Sequence, residues 1–378
     1  MKIEAFQVEE WMNAYETKAA VNIAETCVDS VSLKELFEIA GTDGREFFEK
    51  FSERRLTYGD IEGRPELLEG ICGLYRTIRP EHIVTCHGAA GANHLAISSI
   101  VEPGDHVISV MPTYQQLYSI PESLGARVDI LKLRRENGFL PDLEELRQLA
   151  VPGTKLICIN NPNNPSGALI SSDMMKEIAE IADRAGAYLL CDEVYRHLNQ
   201  QDVYIDSAAD LYEKGISVSS MSKVFSLAGL RLGWIAARDP KLHKAFLSHR
   251  DYSLISCGMF DETAAALALK NRDRLLARSR KIIRDNLMIL DRWVSREPSV
   301  SCVKPEAGTT ALLYFDGMKE WGSEKFCRKL LEDEGILLTP GSCFGEEGCA
   351  RIGYACDTEE LKKGLEGLSR FIAGQSSR

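Results

Sequence analysis

The eleven cysteines of this 378-residue chain stand as singles, with no C-x-x-C pair and no His/Cys cluster at metal-ligand spacing. Cys343, Cys349 and Cys356 lie close together in "GSCFGEEGCARIGYACD", but their intervals match no zinc pattern, and no metal is expected. The opening "MKIEAFQVEE" carries no apolar leader, so reduced thiols and a cytoplasmic location are the expectation. Long apolar runs are missing too, which leaves no candidate membrane helix, and no repeat or low-complexity tract is found. Positive charge is the last shortage. A formal net charge of −11 and an isoelectric point near 5.3 oppose binding to nucleic acid or an anionic membrane. The arginine-rich stretches "LRRENG" and "RDRLLARSRKIIRD" mix their signs, and the second spaces leucine and isoleucine between charges as a solvated helix face does.

What is present fits a globular protein with more than one core: 44% of residues are hydrophobic and 27% charged. From about residue 45 to 237, short apolar strands alternate with amphipathic helices, the pattern of a mostly parallel sheet covered by helices. Strands are predicted at 106–111, 128–133, 155–160, 187–192, 215–220 and 234–237, with helices at 89–100, 142–149 and 172–185, the last closed by Gly186. A helical stretch over 261–293 leads to a tail with strands near "TALLYF" and "CARIGYA" and a final helix over 358–372. The expected division is a large domain over 45–270 and a smaller one built from 1–44 and 271–378.

Ligands of open α/β sheets gather at the carboxyl ends of the strands, which directs attention to the residues that follow them. In "SSMSKVFSLAGLRLGW", Lys223 follows a strand, where a desolvated amine with a lowered pKa would be a Schiff-base nucleophile. Ser220, Ser222 and Arg231 around it offer two hydroxyls and a guanidinium, a set that suits a phosphate dianion. In "TCHGAAGANHLAISSI", Gly88 and Ala89 begin a helix whose free amides favour an anion, although a helix start packed closely on a strand would look the same. Asp192 in "CDEVYRHL" ends an apolar strand, where a buried charge calls for a cation such as a protonated pyridine nitrogen; Tyr195 follows three residues later. The two Asn-Pro steps of "NNPNNPSG" enforce an irregular loop from which Asn164 can donate to a ligand oxygen. Tyr114 in "MPTYQQ" reads equally as a ring stacked on a flat cofactor or as a core tyrosine.

In this order the elements resemble the fold-type I pyridoxal-phosphate enzymes, specifically the class I/II aminotransferases, over nearly the whole chain. The most specific matches are "SMSKVFSLAGLRLGW", "NNPNNPSG" and "CDEVY", joined by "LLTPGSCFGEEGCARIGYA" in the tail. The resemblance implies an α/β fold whose large domain holds a mostly parallel seven-stranded sheet flanked by helices, beside a smaller α+β domain. It implies pyridoxal 5′-phosphate as cofactor and amino transfer from an L-amino acid to a 2-oxo acid through a Lys223 Schiff base. By the same resemblance Asp192 partners the pyridine nitrogen, Asn164 and Tyr195 bond the ring oxygen, and Tyr114 stacks on the ring. Gly88, Ala89, Ser220, Ser222 and Arg231 form the phosphate cup, and Arg351 grips the substrate α-carboxylate. Tyr58, followed by Gly63 and Leu67 in "RRLTYGDIEGRPELLEGI", matches the tyrosine that reaches the neighbouring subunit's phosphate in a homodimer.

The N-terminal segment "NIAETCVDSVSLKEL" departs from the glycine-rich stretch common in the family and places Glu25 and Asp29 where substrate-side residues often lie. It is similar to a smaller group that includes aminotransferases encoded near arginine catabolism genes and capreomycidine synthase, a cyclising enzyme. That similarity implies a carboxylate from Glu25 for a guanidinium or amine on the substrate. The alternative activity is a lyase, cyclase or oxidase reaction on arginine or a similar basic amino acid, since all begin with the same α-proton loss.

Overall fold

The structure is a computed structural model that describes residues 2–376, except the side chains of residues 319, 320, 375 and 376. Its centre is a seven-stranded sheet in the order Ile83–His87, Leu232–Ala237, Gly215–Ser220, Tyr188–Asp192, Thr154–Asn160, His106–Met111 and Arg127–Lys132. Every pairing is parallel except those of Leu232–Ala237, which runs antiparallel to both neighbours. Strands buried on both faces need apolar residues at every position, and "LICI" and "YLLC" read as continuous runs for that reason. The period-2 alternation sorts them. Ile108, Ile157, Ile159 and Leu189 pack under helix Ser172–Ala185, while Val107, Leu156, Leu190, Ile216 and Val218 pack against helix Gly88–Ile100.

Helix Ser172–Ala185 has the predicted bounds because its ends are chemically marked. Ser171 accepts a hydrogen bond from the Met174 amide, and Gly186 takes the left-handed conformation (φ 76°) that ends it. Other expectations shift. Strand Ile83–His87 was not predicted, and the single helical stretch over 261–293 is two helices, Met259–Lys270 and Arg272–Val294, separated at Asn271. Four helices before residue 80, Gln7–Tyr15, Leu33–Ala40, Gly44–Ser52 and Pro65–Cys72, also lie outside the sequence reading.

A second, four-stranded antiparallel sheet runs in the order Thr339–Pro340, Cys349–Gly353, Thr310–Phe315 and Val300–Cys302. The N-terminal segment meets this part of the chain: Val21–Asn22 pairs in parallel with Ile336–Leu337, and the Asn22 amide donates to Glu360 on the last helix, Thr358–Ser376. Helix Gln7–Tyr15 is held to it by the Trp11 indole, which donates to the Leu338 carbonyl at 2.9 Å. Among the described residues no helix is long and apolar enough to cross a membrane.

Candidate active site

Parallel strands place their carboxyl ends on one edge, so Asn160, Asp192 and Ser220, each the last residue of its strand, stand together there; Asn160 and Asp192 are register partners. The loop carrying Tyr114 and the start of helix Gly88–Ile100 complete that edge. A cavity of about 270 Å³ opens over it. All the predicted site residues except Gly88, Tyr58 and the substrate-side candidate Asp29 line this cavity.

Helix Gly88–Ile100 begins without a side-chain cap, as several other helices do, and its first-turn residues Ala89 and Ala90 line the cavity. Gly88 sits behind this start with φ 65°, and a Cβ there would lie 2.7 Å from Arg231 Nη2, so glycine answers both the backbone angle and the close approach. Arg231 is itself in the left-handed region (φ 47°), a strained choice for a long side chain, and its Nη1 donates to the Ala228 carbonyl at 3.0 Å. With the Ser220 and Ser222 hydroxyls, this edge gathers the donors an anion needs.

Asp192 is buried, and no ion pair to it forms among the described residues. Its Oδ2 accepts from Asn93 Nδ2 at 2.8 Å and its Oδ1 from the Val194 amide at 3.2 Å. Burial pushes its carboxyl up to about 6, against the opposing pull of Asn93, Val194 and Lys223.

The Lys223 amine donates to Thr26 Oγ1 at 2.6 Å and to Cys27 Sγ at 3.4 Å. Here the sequence expectation of a lowered pKa is corrected. Burial does push the amine down, but Cys27, Tyr195 and Glu25 outweigh it and leave it above the usual lysine value. Glu25, Thr26 and Cys27 arrive from the N-terminal segment, and Tyr195 from the loop after strand Tyr188–Asp192. The Gly353 amide donates to the Ile23 carbonyl and Thr309 Oγ1 to the Thr26 carbonyl, each at 2.8 Å, and a Cβ at Gly353 would overlap the Glu25 backbone.

Arg351, on strand Cys349–Gly353, is 3% exposed. Its Nη1 donates to Asn164 Oδ1 at 3.2 Å, and its Nη2 donates to the Ala24 carbonyl at 3.0 Å and to Thr339 Oγ1 at 3.1 Å. Nε is buried with no partner, and burial lowers the guanidinium pKa. The bond from Arg351 fixes the Asn164 carboxamide with Nδ2 as its available donor, and the Asn164 amide donates to Asn160 Oδ1 at 2.7 Å.

Besides Asp192, three carboxylates, Glu9, Glu16 and Glu25, line the cavity, and none of them forms an ion pair among the described residues. Glu9 accepts from the Tyr114 hydroxyl at 3.2 Å. Glu16 is raised above the usual carboxylate range by burial and then by Glu25 beside it. Asp29 is not part of this group. It is spent in an ion pair with Arg278, whose Nη2 donates to Asp29 Oδ2 at 2.8 Å. Tyr58 lies on the surface, 66% exposed, between helices Gly44–Ser52 and Pro65–Cys72.

The residues fit the cofactor that the sequence resemblance implies. An uncapped helix start, a guanidinium and two hydroxyls suit its phosphate; a buried carboxylate without a cation suits its ring nitrogen; an amine suits its aldehyde. The unpaired Arg351 Nε suits a carboxylate oxygen.

Residues 41–368 match the family model described as aminotransferase class I and II. A solved structure of a PLP-dependent aminotransferase from Streptococcus suis 89-1591 superposes with a TM-score of 0.95 at 46% identity, covering 99% of each chain. Among curated relatives, capreomycidine synthase of Streptomyces vinaceus is 30% identical over 295 residues, 78% of this chain and 75% of that protein. Aspartate aminotransferase of Pyrococcus horikoshii is 30% identical over 330 residues, 84% of this chain and 83% of that one.

Proposed function

This chain belongs to the class I and II aminotransferase family and depends on pyridoxal phosphate, and we propose that its transfer of an amino group from an L-amino acid to a 2-oxo acid takes place in the cavity around Lys223. One observation carries the reading: Lys223, Asp192 and Arg351, from three separate segments, line the same cavity. Pyridoxal phosphate, when bound, supplies an electron sink for the charge left when a substrate loses its α-proton. Lys223 Nζ holds the cofactor in the resting enzyme and, when freed, is the base for that proton. Asp192 pairs with the protonated ring nitrogen, an opposite charge that offsets the burial now holding its carboxyl up. Asn164 and Tyr195 bond the ring oxygen and Tyr114 packs on the ring. Gly88, Ala89, Ser220, Ser222 and Arg231 hold the phosphate, and Arg351 orients the substrate by its carboxylate.

The substrate side is acidic. Glu9, Glu16 and Glu25 face a cavity whose basic groups already have tasks, so a cationic substrate side chain is the charge this side accepts best. Glu25→Gln combined with Glu16→Gln is expected to lower kcat/KM for arginine by about tenfold while leaving that for alanine within about twofold, as suits loss of a partly buried charge contact. Steady-state rates on the two amino acids check this, and an equal fall on both would remove the acids from substrate selection.

The similarity to capreomycidine synthase favours a second reading, a lyase, cyclase or oxidase reaction on arginine or a similar basic amino acid. A single-turnover reaction separates them. The cofactor-loaded protein is mixed anaerobically with arginine, aspartate, alanine or an aromatic amino acid, and the products are identified by mass spectrometry. Transfer yields the matching oxo acid with the cofactor in its amine form; under the second reading a basic amino acid with a hydroxyl leaving group at Cβ yields an alkene or a ring plus water, and a parallel run with dioxygen as oxidant yields an oxo acid plus ammonia, each with the cofactor recovered as aldehyde.

The same proposal includes a large domain over 45–270 and a smaller one from 1–44 and 271–378; the seven-stranded sheet falls in the first and the four-stranded sheet in the second. It also includes a homodimer in which Tyr58 reaches the partner's phosphate. Exposed Phe48, Leu56, Tyr58 and Ile61 support an interface there. A cytoplasmic location is proposed on the eleven free thiols.

A further inference from the structure

Asn93 has no role in the reading above. It lies on the buried face of helix Gly88–Ile100 among Ala92, Leu95 and Ala96, is 0% exposed, and lines the cavity. Two acceptors fix the orientation of its carboxamide. Nδ2 donates to Asp192 Oδ2 at 2.8 Å and faces Gln116 Oε1 at 3.5 Å, so a flipped amide would set oxygen against oxygen at both places. The consequence is that Asn93 Oδ1 is buried with no partner, an arrangement that folded chains normally avoid. An apolar residue of this size would relieve that defect and match its neighbours. What an asparagine adds is the N–H aimed at Asp192.

We propose that Asn93 is a positioning residue for Asp192, holding its carboxylate ionised and oriented toward the cofactor ring nitrogen; this rests on the site reading given above. The other groups facing Asp192 are the Val194 amide, the Lys223 ammonium, and Tyr114 and Cys191, which are neutral near pH 7 and add little there. Asn93 is therefore the one neutral side chain among the described residues that donates a hydrogen bond to this carboxylate. When Asp192 carries a proton, binding a ring that brings its own N–H⁺ must expel that proton, so affinity falls as pH drops below the point where Asp192 protonates. Without the Asn93 donor that point moves upward, because hydrogen bonding to the charged form is lost while burial is kept.

The probe is pyridoxine 5′-phosphate, which has the ring and the phosphate but no aldehyde for Lys223, titrated by fluorescence into the wild-type chain and Asn93→Leu from pH 5 to pH 8.5. The ratio of the two dissociation constants is read, since the probe's own titrations cancel in it. Loss of a hydrogen bond to a charged group is expected to weaken binding about tenfold at pH 5.5 and by less than about twofold at pH 8.5. Asn93→Ala, which suits a helix and adds no bulk, serves as the second variant if leucine is not accommodated. A ratio that is the same at every pH, whatever its size, assigns Asn93 to packing and overturns the inference. Absence of probe binding to the wild-type chain would instead overturn the site reading on which the inference rests.

Discussion

Lys223→Ala is expected to lower kcat by at least about 10⁴-fold, the scale of losing a positioned acid–base group, with the loss of covalent cofactor attachment added to it. The expectation is this large because the proposed mechanism gives one amine two tasks that no neighbour can take over. Thr26 and Cys27 touch the amine, but a hydroxyl cannot form the imine and a thiol at this position has no hydrogen-bonded base of its own. The fold should survive, because the two hydrogen bonds of the Lys223 amine go to side chains of the N-terminal segment and to no backbone group among the described residues. Two measurements separate loss of chemistry from loss of structure. Binding of pyridoxine 5′-phosphate should persist in the variant, and added methylamine should restore part of the rate by entering the space the side chain leaves. Turnover of Lys223→Ala within about tenfold of wild type would be incompatible with a positioned base at this residue.

The strand-end chemistry was legible in the sequence for a physical reason. A buried parallel strand is mostly apolar, so a polar residue closing an apolar run marks its carboxyl end, as Asn160 does after "LICI" and Asp192 after "YLLC"; Ser220 is less distinct, because Ser217 and Ser219 already interrupt its strand. Helix ends with capping serine and left-handed glycine were legible on the same grounds, as at Ser171 and Gly186. What was not legible depends on contacts between distant segments. Glu9 and Glu16 belong to "QVEEWMNAYE", where Val8, Trp11 and Met12 mark the buried face and the acids read as solvated. They reach the cavity because the Trp11 indole bonds Leu338 and the Gln7 amide bonds Gln115, links across 327 and 108 residues. The same holds for Thr26 and Cys27, which meet Lys223 only through pairing of the N-terminal segment with the last third of the chain.

Asn93 is a different case. Its signal was present: a carboxamide on the face of a helix otherwise lined by Ala92, Leu95, Ala96 and Ile97. Such a residue must find a partner in the core, and the glycines that opened the helix drew the reading to its first turn instead. The direction of the Lys223 pKa is hidden from the sequence for a related reason. Burial can be inferred from a strand end, but the groups that oppose it, Cys27, Tyr195 and Glu25, come from other parts of the chain. Asp29 shows the converse, since an acid four residues from Glu25 is consumed by Arg278 on helix Arg272–Val294.

Arg351→Ala is expected to lower kcat/KM for an amino acid by about 10²–10³-fold, or roughly 3–4 kcal/mol, the range for breaking a buried charge pair. The guanidinium is already desolvated and already held by Asn164, Ala24 and Thr339, so the substrate carboxylate meets a fork whose orientation is fixed before it arrives. Removing it also leaves Thr339 and Asn164 without their donor, and a lower denaturation midpoint is expected from that alone. Activity on a substrate without a carboxylate distinguishes the two effects. Agmatine, arginine lacking its carboxylate, should be a poor substrate for the wild-type enzyme and should lose no more than about threefold on Arg351→Ala, since the pair it would break never forms. Arg351→Lys keeps the charge but not the planar fork, and should fall between the two, closer to alanine than to arginine. If agmatine and arginine lost activity equally in Arg351→Ala, the residue would be holding Asn164 and the Ala24 segment in place rather than binding the carboxylate.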